Sequence, residues 1–269
     1  MKKVKPVALI TGGSSGIGKA LCKEFGKNGF YIFYCGRNQS ELEKASNELK
    51  LLGIEHDFIR ADVSSEQDCK TLIEFVINKT GRIDLLINNA GISMRGLVEE
   101  TSVDVFKMVM DINFWGTVYC TKLALPYILQ SNGTVIGISS IAGFIGLPAR
   151  SAYSASKFAM HGFLQSLRIE NPQLHVMIAC PGFTSSNIRK KALNAQGEMQ
   201  GESPLEEDKI MSAEEVANRI YKAYKKRIKW VIMTKEGIMA VWLSKFFPSL
   251  TEKLVRKKFE KEKNSPLRR

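Results

Sequence analysis

A tyrosine and a lysine in the second half of the chain have the spacing that acid–base chemistry requires. Tyr153 and Lys157 are four positions apart, so on a helix they lie on one face, one turn from each other. A free phenol has a pKa of about 10 and is a poor acid or base at neutral pH. A nearby ammonium favours the phenolate, which lowers that pKa. The pair therefore predicts a tyrosine that exchanges a proton with a bound substrate.

A serine upstream extends this candidate site. Ser140 follows an apolar strand predicted over 134–138, and open α/β sheets bind ligands at the carboxyl ends of their strands. Each residue also has a simpler interpretation, because a Tyr–Lys pair on a helix is usually solvated and strands often end in serine. The N-terminal motifs favour the catalytic interpretation.

The motif T-G-G-S-S-G-I-G occupies residues 11–18, between an apolar run and a helical pattern. Its glycines allow a tight turn and a close approach to a pyrophosphate, and the helix that follows offers free N–H groups. This strand, turn and helix predict a dinucleotide site. The predicted contacts within it are Gly12, Ser14, Ser15, Gly16, Ile17 and Gly18.

The second strand, predicted over 31–35, indicates which dinucleotide is bound. An acidic residue at its end would bind the ribose 2′-hydroxyl of NAD, but Gly36 stands there, followed by Arg37. A guanidinium can hold a 2′-phosphate. We therefore expect NADP(H), with contacts from Arg37 and Asn38; the alternative is that Arg37 is a solvated loop residue.

Later strand ends complete the predicted cofactor site and the fold class. Asp62, followed by Val63, either accepts a hydrogen bond from the adenine amino group or caps the next helix. The N-N-A-G turn supplies Asn89, Ala90 and Gly91 after the fourth strand. Strands that alternate with helices predict an α/β fold, with a doubly wound parallel sheet covered by helices on both faces.

One polar residue interrupts a long apolar helix predicted over about 103–129. Asparagine is a mediocre helix former, and Asn113 stands near the middle of this pattern. Taken alone, the residue favours a structural polar contact over a catalytic role.

Together these pieces resemble the short-chain dehydrogenase/reductase family in order and spacing, over about residues 6–235. They are the glycine motif, N-N-A-G at 88–91, Asn113, Ser140, Y-S-A-S-K at 153–157 and P-G at 181–182. The resemblance implies a Rossmann fold with seven parallel strands. It also implies hydride transfer between a nicotinamide and a ketone or secondary alcohol.

The resemblance assigns roles to four side chains. Tyr153 is the acid/base, Ser140 polarises the carbonyl, Lys157 holds the ribose and lowers the tyrosine pKa, and Asn113 anchors a water. It also implies cofactor contacts from Tyr153, Lys157, Pro181, Gly182 and Thr184. At position 184 an aliphatic residue is commoner in the family, and Ser186 replaces its usual threonine.

A closer resemblance, in 88–96, 138–143 and 148–157, is to the branch of animal reductases called dehydrogenase/reductase member 7B. That branch suggests a lipid-like ketone as substrate. The family also implies a homo-dimer or tetramer. Residues 183–211 predict a lid over the active site, the alternative being a surface excursion without a role.

The last fifth of the chain is strongly basic. Residues 219–269 hold 16 Lys and Arg against four Glu, which accounts for the whole net charge of +12. Apolar residues mix with lysines here and predict a basic amphipathic extension, 236–269, after a nucleotide-binding domain, 1–235. Contact with an anionic membrane surface through 238–263 and packing in a dimer explain the pattern equally well. Nucleic acid is disfavoured, because no aromatic-interleaved motif accompanies the charge.

Length and composition indicate the number of domains, the state of the cysteines and the compartment. A chain of 269 residues suits one large α/β domain, and its five scattered cysteines indicate free thiols in a reducing compartment such as the cytoplasm. No spacing suggests a metal site or a secretory signal. Besides an enzyme, the sequence allows an NADP-binding regulatory protein, or a membrane-surface scaffold without turnover.

Overall fold

Short, largely apolar runs form a central parallel sheet. The computed structural model describes residues 5–182, 184, 188–189, 191–201, 210–262 and 264–268. Most strand residues are buried, as expected of strands covered on both faces. The strands are β1 (Val7–Thr11), β2 (Tyr31–Gly36), β3 (His56–Arg60), β4 (Leu85–Asn88), β5 (Thr134–Ile138), β6 (His175–Cys180) and β7 (Trp230–Ile232).

These seven strands pair in the order β3-β2-β1-β4-β5-β6-β7, and every pairing is parallel. The chain winds outward from β1 on one side and from β4 on the other. The Rossmann fold predicted from sequence is thereby confirmed. The carboxyl ends of all strands lie at one edge, with a crevice where the strand order reverses.

Helices cover both faces of the sheet. They are α1 (Gly16–Lys27), α2 (Gln39–Leu51), α3 (Glu66–Thr80), α4 (Val103–Met110), α5 (Gly116–Gln130), α6 (Ser151–Glu170), α7 (Ala213–Lys225), α8 (Lys235–Phe246) and α9 (Pro248–Glu260). One core packs α1, α2 and α7 against the sheet, and the other packs α3, α5 and α6 against the opposite face.

Polar caps define several helix ends. Asn38, Ser65 and Ser212 accept hydrogen bonds from the first turns of α2, α3 and α7. The interpretation of Asp62 as the cap of α3 is therefore wrong: Ser65 has that role, and Asp62 accepts from Ser64. The helix itself begins at Glu66, as the sequence predicts, and its cap is Ser65, three residues after Asp62.

Two further boundaries differ from the predicted ones. The helix expected over 103–129 is continuous in direction but contains a π-helical turn, Asp111–Trp115, between α4 and α5. The extension after residue 235 forms two helices, because Pro248 cannot continue α8 and instead starts α9. The predicted domain boundary at 235/236 falls just inside α8, which begins at Lys235.

Substitutions in α2 test the core assignment. Leu49 is 0% exposed and Leu51 is 87% exposed on the same helix. Leu49→Ala should cost about 2–5 kcal/mol of unfolding free energy, because it leaves a cavity. Leu51→Ala should cost less than about 0.5 kcal/mol. Urea titration measures both, and equal losses would contradict this packing.

Candidate active site

Most of the predicted site residues that the structure describes follow the carboxyl ends of six strands, β1 to β6. Asn113, Tyr153 and Lys157 lie on helices. The loops after β1 and β4 are neighbours, since these strands pair directly at the reversal of the sheet order. The topology thus brings the glycine motif beside the N-N-A-G turn and, through α5 and α6, beside the candidate catalytic side chains.

Hydrogen bonds lock the glycine motif to the turn after β4. The Thr11 hydroxyl accepts from the backbone N–H groups of Asn89 and Ala90, both at 3.0 Å. The side-chain amide of Asn89 donates to the carbonyl oxygens of Thr11 and Gly12, at 2.8 and 3.2 Å. Sequence analysis missed Thr11 as a functional residue, although its place as first residue of the motif was a usable signal.

The glycine turn has the shape and the donors that a pyrophosphate needs. Gly12 has φ +67°, a conformation that favours glycine, and a Cβ at Gly18 would lie 2.1 Å from the Gly12 carbonyl oxygen. Ser15 precedes α1 in an extended conformation, and its side chain makes no capping hydrogen bond. The first N–H groups of α1 therefore have no side-chain cap and can bind an anion. These features fit a dinucleotide.

A cavity opens beyond the ends of β2 and β3. It has a volume of about 370 Å³ and is lined by Arg37, Arg60, Ala61, Asp62 and Asp68. Arg37 lies 3.8 Å from the Asp62 carboxylate, and the Arg60 side chain donates to the Arg37 carbonyl at 3.1 Å. Sequence analysis missed Arg60, because the type of a residue at a strand end does not determine the direction of its side chain.

Two other predicted cofactor residues have structural contacts. The side chain of Asn38 is the N-cap of α2 and accepts from Glu41 at 3.1 Å. Val63 is buried, and a Cβ at Gly116 would lie 2.8 Å from its side chain, so α5 packs directly against this loop.

Asn113 lies in the π-helical turn and joins three segments. Its amide oxygen accepts from the Ile92 N–H at 2.8 Å, and its amide nitrogen donates to the Ile92 carbonyl at 2.9 Å. The same nitrogen donates to the Ser156 hydroxyl at 2.9 Å, which donates onward to the Tyr153 carbonyl at 2.7 Å. The structural contact expected from sequence is therefore present. The water that the family resemblance assigns to this residue stays a prediction.

Ser140, Tyr153 and Lys157 come together at the end of β5. The Ser140 side chain lies beside Tyr153, on the first turn of α6, and lowers the pKa of its phenol. The Ser140 hydroxyl also accepts from the Ala142 N–H at 3.2 Å. The Lys157 ammonium lies 5.7 Å from the centre of the Tyr153 ring and donates to the Ile138 carbonyl at 2.9 Å. The spacing of four residues thus places both groups on one helix face, as predicted.

Burial dominates the electrostatics of this group. It raises the pKa of Tyr153, and the Ser140 side chain and the Arg150 charge oppose that rise. Burial lowers the pKa of Lys157 to about 8. The sequence assigned the lowering of the tyrosine pKa to Lys157. In the structure the Lys157 ammonium is directed at a backbone carbonyl, and the opposing cation is Arg150, which sequence analysis missed.

The segment after β6 reaches the same edge. Pro181 and Gly182 follow the strand directly, and the Thr184 hydroxyl donates to the Gly182 carbonyl at 3.0 Å. Ser186 lies outside the described residues. Within the predicted lid, Leu193 pairs with the loop after β4 through Ser93 and Arg95, at 3.0 and 2.8 Å.

Apolar side chains surround one side of the candidate tyrosine. Leu193 packs with Met94, Val105 and Ala152 in a buried cluster, against which Tyr153 lies. The described part of the predicted lid therefore contributes to an apolar wall beside the reactive hydroxyl.

A family model for short chain dehydrogenases matches residues 6–197. This chain belongs to the short-chain dehydrogenase family. The match spans the glycine motif, the N-N-A-G turn and all four candidate catalytic residues, so the family model and the geometry identify the same region.

Similarity to individual proteins indicates the branch of the family to which this short-chain dehydrogenase is most similar. It is 35% identical, over 96% of its length and 83% of the other chain, to the mouse protein named dehydrogenase/reductase SDR family member 7B. Rat and Xenopus laevis proteins of the same name also match, at 34% and 35% identity. The similarity to the 7B branch inferred from sequence is thereby confirmed.

Solved structures of other proteins share the fold. A short-chain dehydrogenase/reductase from Burkholderia phymatum in complex with NAD superposes with a TM-score of 0.82, at 22% identity over 93% of this chain and 96% of that one. Actinorhodin polyketide ketoreductase with NADPH superposes with a TM-score of 0.72, at 26% identity over 81% of this chain and 89% of that one. Nucleotide cofactors of both kinds thus occur in proteins of this fold.

Proposed function

We propose that this short-chain dehydrogenase is an NADPH-dependent carbonyl reductase in which Tyr153 is the acid/base. The observation that carries the proposal is the grouping of Ser140 and the Lys157 ammonium around the partly buried side chain of Tyr153. In the reductive direction, NADPH supplies the hydride that reduces the carbonyl carbon. The chain supplies the proton and the orientation of the substrate.

Each side chain has a defined part in this proposal. The Ser140 hydroxyl donates a hydrogen bond to the substrate carbonyl oxygen and polarises it, and Tyr153 donates its proton to the same oxygen. Lys157 holds the cofactor ribose and carries positive charge beside the phenol. Asn113 fixes α6 through Ser156 and anchors the water of the proton relay. The apolar wall excludes bulk water from the reacting group.

The preference for NADP(H) rests on charge at the ends of β2 and β3. Arg37 and Arg60 line one cavity, and Gly36 stands where an acidic residue would bind the ribose of NAD. A guanidinium at this place binds the doubly charged 2′-phosphate, which NAD lacks.

The substrate we propose is a ketone or secondary alcohol with a lipid-like apolar part. Leu193, Met94 and Val105 form an apolar surface beside Tyr153 and offer a long carbon chain a dry contact. The homo-dimer or tetramer that the family resemblance implies stays a prediction.

The non-enzymatic alternatives require an intact cofactor site without turnover. A regulatory protein or a scaffold has no need of a serine, a tyrosine and a lysine grouped at a strand end. Turnover of ketones with NADPH separates these functions directly.

The first substitution removes the acid. Tyr153→Phe keeps the ring and deletes the hydroxyl, so reduction of long-chain ketones should fall by at least about 100-fold. NADPH binding, followed by quenching of protein fluorescence, should change less than about threefold. Tyr127→Phe, on α5, is the matched control and should retain wild-type rates. A Tyr153→Phe enzyme that keeps most of its activity would contradict the proposal.

The second substitution tests the cofactor. Arg37→Ala should raise the KM for NADPH by about tenfold, because it removes charge-assisted hydrogen bonds. The KM for NADH should stay within about twofold. Lys44→Ala, on the exposed face of α2, removes the same charge and serves as control. A preference for NADH in the wild type that persists in Arg37→Ala would contradict the assignment of NADP(H) as the cofactor.

The two C-terminal helices expose an apolar face with a basic rim. Its exposed apolar residues are Ile238, Met239, Trp242, Phe246, Phe247, Leu250 and Leu254. Lys245, Lys253 and Lys257 are exposed on the same helices. No helix in the described ranges is long and apolar enough to cross a bilayer.

We propose that this face binds an anionic membrane surface from the cytoplasm. Each base near anionic lipid contributes about 1 kcal/mol, whereas pairing two copies of the face would bring like charges together. Aromatic side chains among lysines suit the headgroup region. The enzyme would then reach a lipid-like substrate at the surface of the membrane in which that substrate is dissolved.

Vesicle sedimentation tests this contact. Trp242→Glu with Phe246→Glu should lower binding to phosphatidylserine-containing vesicles by at least about tenfold, because two apolar anchors are lost. Ile169→Glu, which alters an exposed apolar residue at the end of α6, is the control. Equal sedimentation of all three proteins, or loss of a dimer without any vesicle binding in the wild type, would overturn the proposal.

A further inference from the structure

His161 is a buried histidine on α6 to which the proposed reaction assigns no part. It lies one helical turn after Lys157 and two turns after Tyr153, so the three side chains share one face of the helix. Its Nε2 lies 2.6 Å from the hydroxyl oxygen of Ser139, which is also buried and directly precedes Ser140. A buried polar ring is thus bonded to the neighbour of a candidate catalytic side chain.

The same ring touches the other side of the turn that carries Ser140. A Cβ at Gly143 would lie 2.5 Å from the ring carbon Cε1 of His161, so the backbone packs directly on the imidazole there. Ser140 stands between these two contacts in an extended conformation. It caps the 3₁₀ turn Ile141–Gly143, and its hydroxyl accepts from the Ala142 N–H at 3.2 Å. The imidazole therefore contacts the chain both before and after Ser140.

Two aromatic rings hold the imidazole in place. The centres of the Phe144 and Trp230 rings lie 4.7 and 5.1 Å from the centre of the His161 ring, both in edge-to-face geometry. Such contacts are favourable only over a narrow range of ring orientations. Rotation of the imidazole would lose them, so the ring offers Ser139 a fixed partner.

The end of β5 and one face of α6 are matched residue by residue. The Ile138 carbonyl accepts from the Lys157 ammonium at 2.9 Å, and the next residue, Ser139, bonds to His161. The residue after that is Ser140, which lies beside the candidate tyrosine. The bond to His161 is thus the middle one of three contacts that set the strand end against the helix.

The imidazole is neutral at neutral pH. Burial lowers the pKa of His161 to about 4, and the Lys157 charge acts in the same direction, whereas the Gly143 backbone opposes them. The Cys180 thiol also faces the ring from the end of β6, with its Sγ 3.9 Å from Nε2, and burial raises the pKa of that thiol to about 12. The ring therefore binds a hydroxyl without adding a second positive charge beside Lys157.

We propose that His161 is a positioning residue of the active site: its bond to Ser139 and its contact with Gly143 hold the turn that directs the Ser140 hydroxyl. The inference rests on the proposed function, in which that hydroxyl polarises the substrate carbonyl. A misplacement of about 1 Å at a reacting group can cost about 100-fold in rate. Loosening this turn should therefore lower kcat more than it changes cofactor binding.

Kinetics of two variants at one position test this role. His161→Phe keeps a flat ring and removes both nitrogens, so the kcat for ketone reduction should fall about tenfold, because the Ser139 hydroxyl loses its partner. The KM for NADPH should stay within about twofold. His161→Gln can place an amide near the position of Nε2, and its kcat should stay within about threefold of the wild type.

The chain contains a matched control. His175 is as buried as His161 and bonds to the Thr134 hydroxyl oxygen at 3.2 Å, but at the amino ends of β6 and β5. His175→Phe therefore removes a similar bond away from the site and should leave kcat unchanged. Equal losses of kcat in the two phenylalanine variants would indicate a merely structural role and overturn the inference.

A double-variant cycle tests which contact carries the effect. Ser139→Ala removes the other partner of the bond and should also lower kcat about tenfold. Ser139→Ala with His161→Phe should lose no more than about threefold beyond either single variant, because both changes remove the same bond. Losses that multiply to about 100-fold would contradict the inference. An unchanged kcat in Ser139→Ala overturns it whether or not His161→Phe folds.

Amide hydrogen exchange separates this inference from the proposed function. The Ala142 N–H reports on the turn without substrate or cofactor, because it donates to the Ser140 hydroxyl. By NMR, this amide should exchange at least about tenfold faster in Ser139→Ala and in His161→Phe, with the amides of β1 unchanged. If no ketone is reduced, the proposed function fails and the exchange still decides. An unmoved Ala142 exchange rate in Ser139→Ala overturns the role of His161 whatever the turnover.

Discussion

The hydrogen bonds between Thr11 and the turn after β4 are the contact on which the rest of the site depends. They join the two strands at which the sheet reverses its order, and they use the backbone of Asn89 and Ala90. Since Asn89 also holds the carbonyl oxygens of the glycine turn, the cradle for the cofactor and the loop leading to Asn113 form one rigid unit. A shift of β1 or β4 would therefore move both the glycine turn and the loop that leads to Asn113.

Burial is the second constraint on the site. It excludes water from the reacting groups, but it also disfavours the charged forms that proton transfer requires. Removing Tyr153 and Lys157 from water disfavours the charged form of each, so the phenol becomes a weaker acid and the ammonium a stronger one. The Ser140 side chain beside Tyr153, and the hydrogen bond from Lys157 to the Ile138 carbonyl, offset part of this cost. The positive charge that opposes the rise in the pKa of Tyr153 comes from Arg150, the residue directly before α6.

Local patterns predicted the fold and the places in it of most candidate site residues. Apolar runs, glycine turns and Ser212 as a helix cap each depend on neighbours in sequence, and the structure places them as expected. Such local patterns do not predict contacts between segments that are far apart in the sequence. The Arg150–Glu262 pair spans more than a hundred positions, and nothing in either residue's neighbourhood marks it. Arg60 was missed for a related reason, because only the pairing of β3 with β2 places it beside Arg37.

The π-helical turn at Asp111–Trp115 has a consequence for how this helix tolerates change. Such a turn holds one residue more than an α-helical turn, so it rotates everything after it by about 100° relative to a regular helix. The face of α5 that meets the sheet, including the bond from Asn88 to Thr121 at 2.9 Å, exists because of that extra residue. A one-residue deletion here would regularise the helix and turn its buried side towards solvent. At this point of the chain the number of residues, rather than their type, sets which face of α5 meets the sheet.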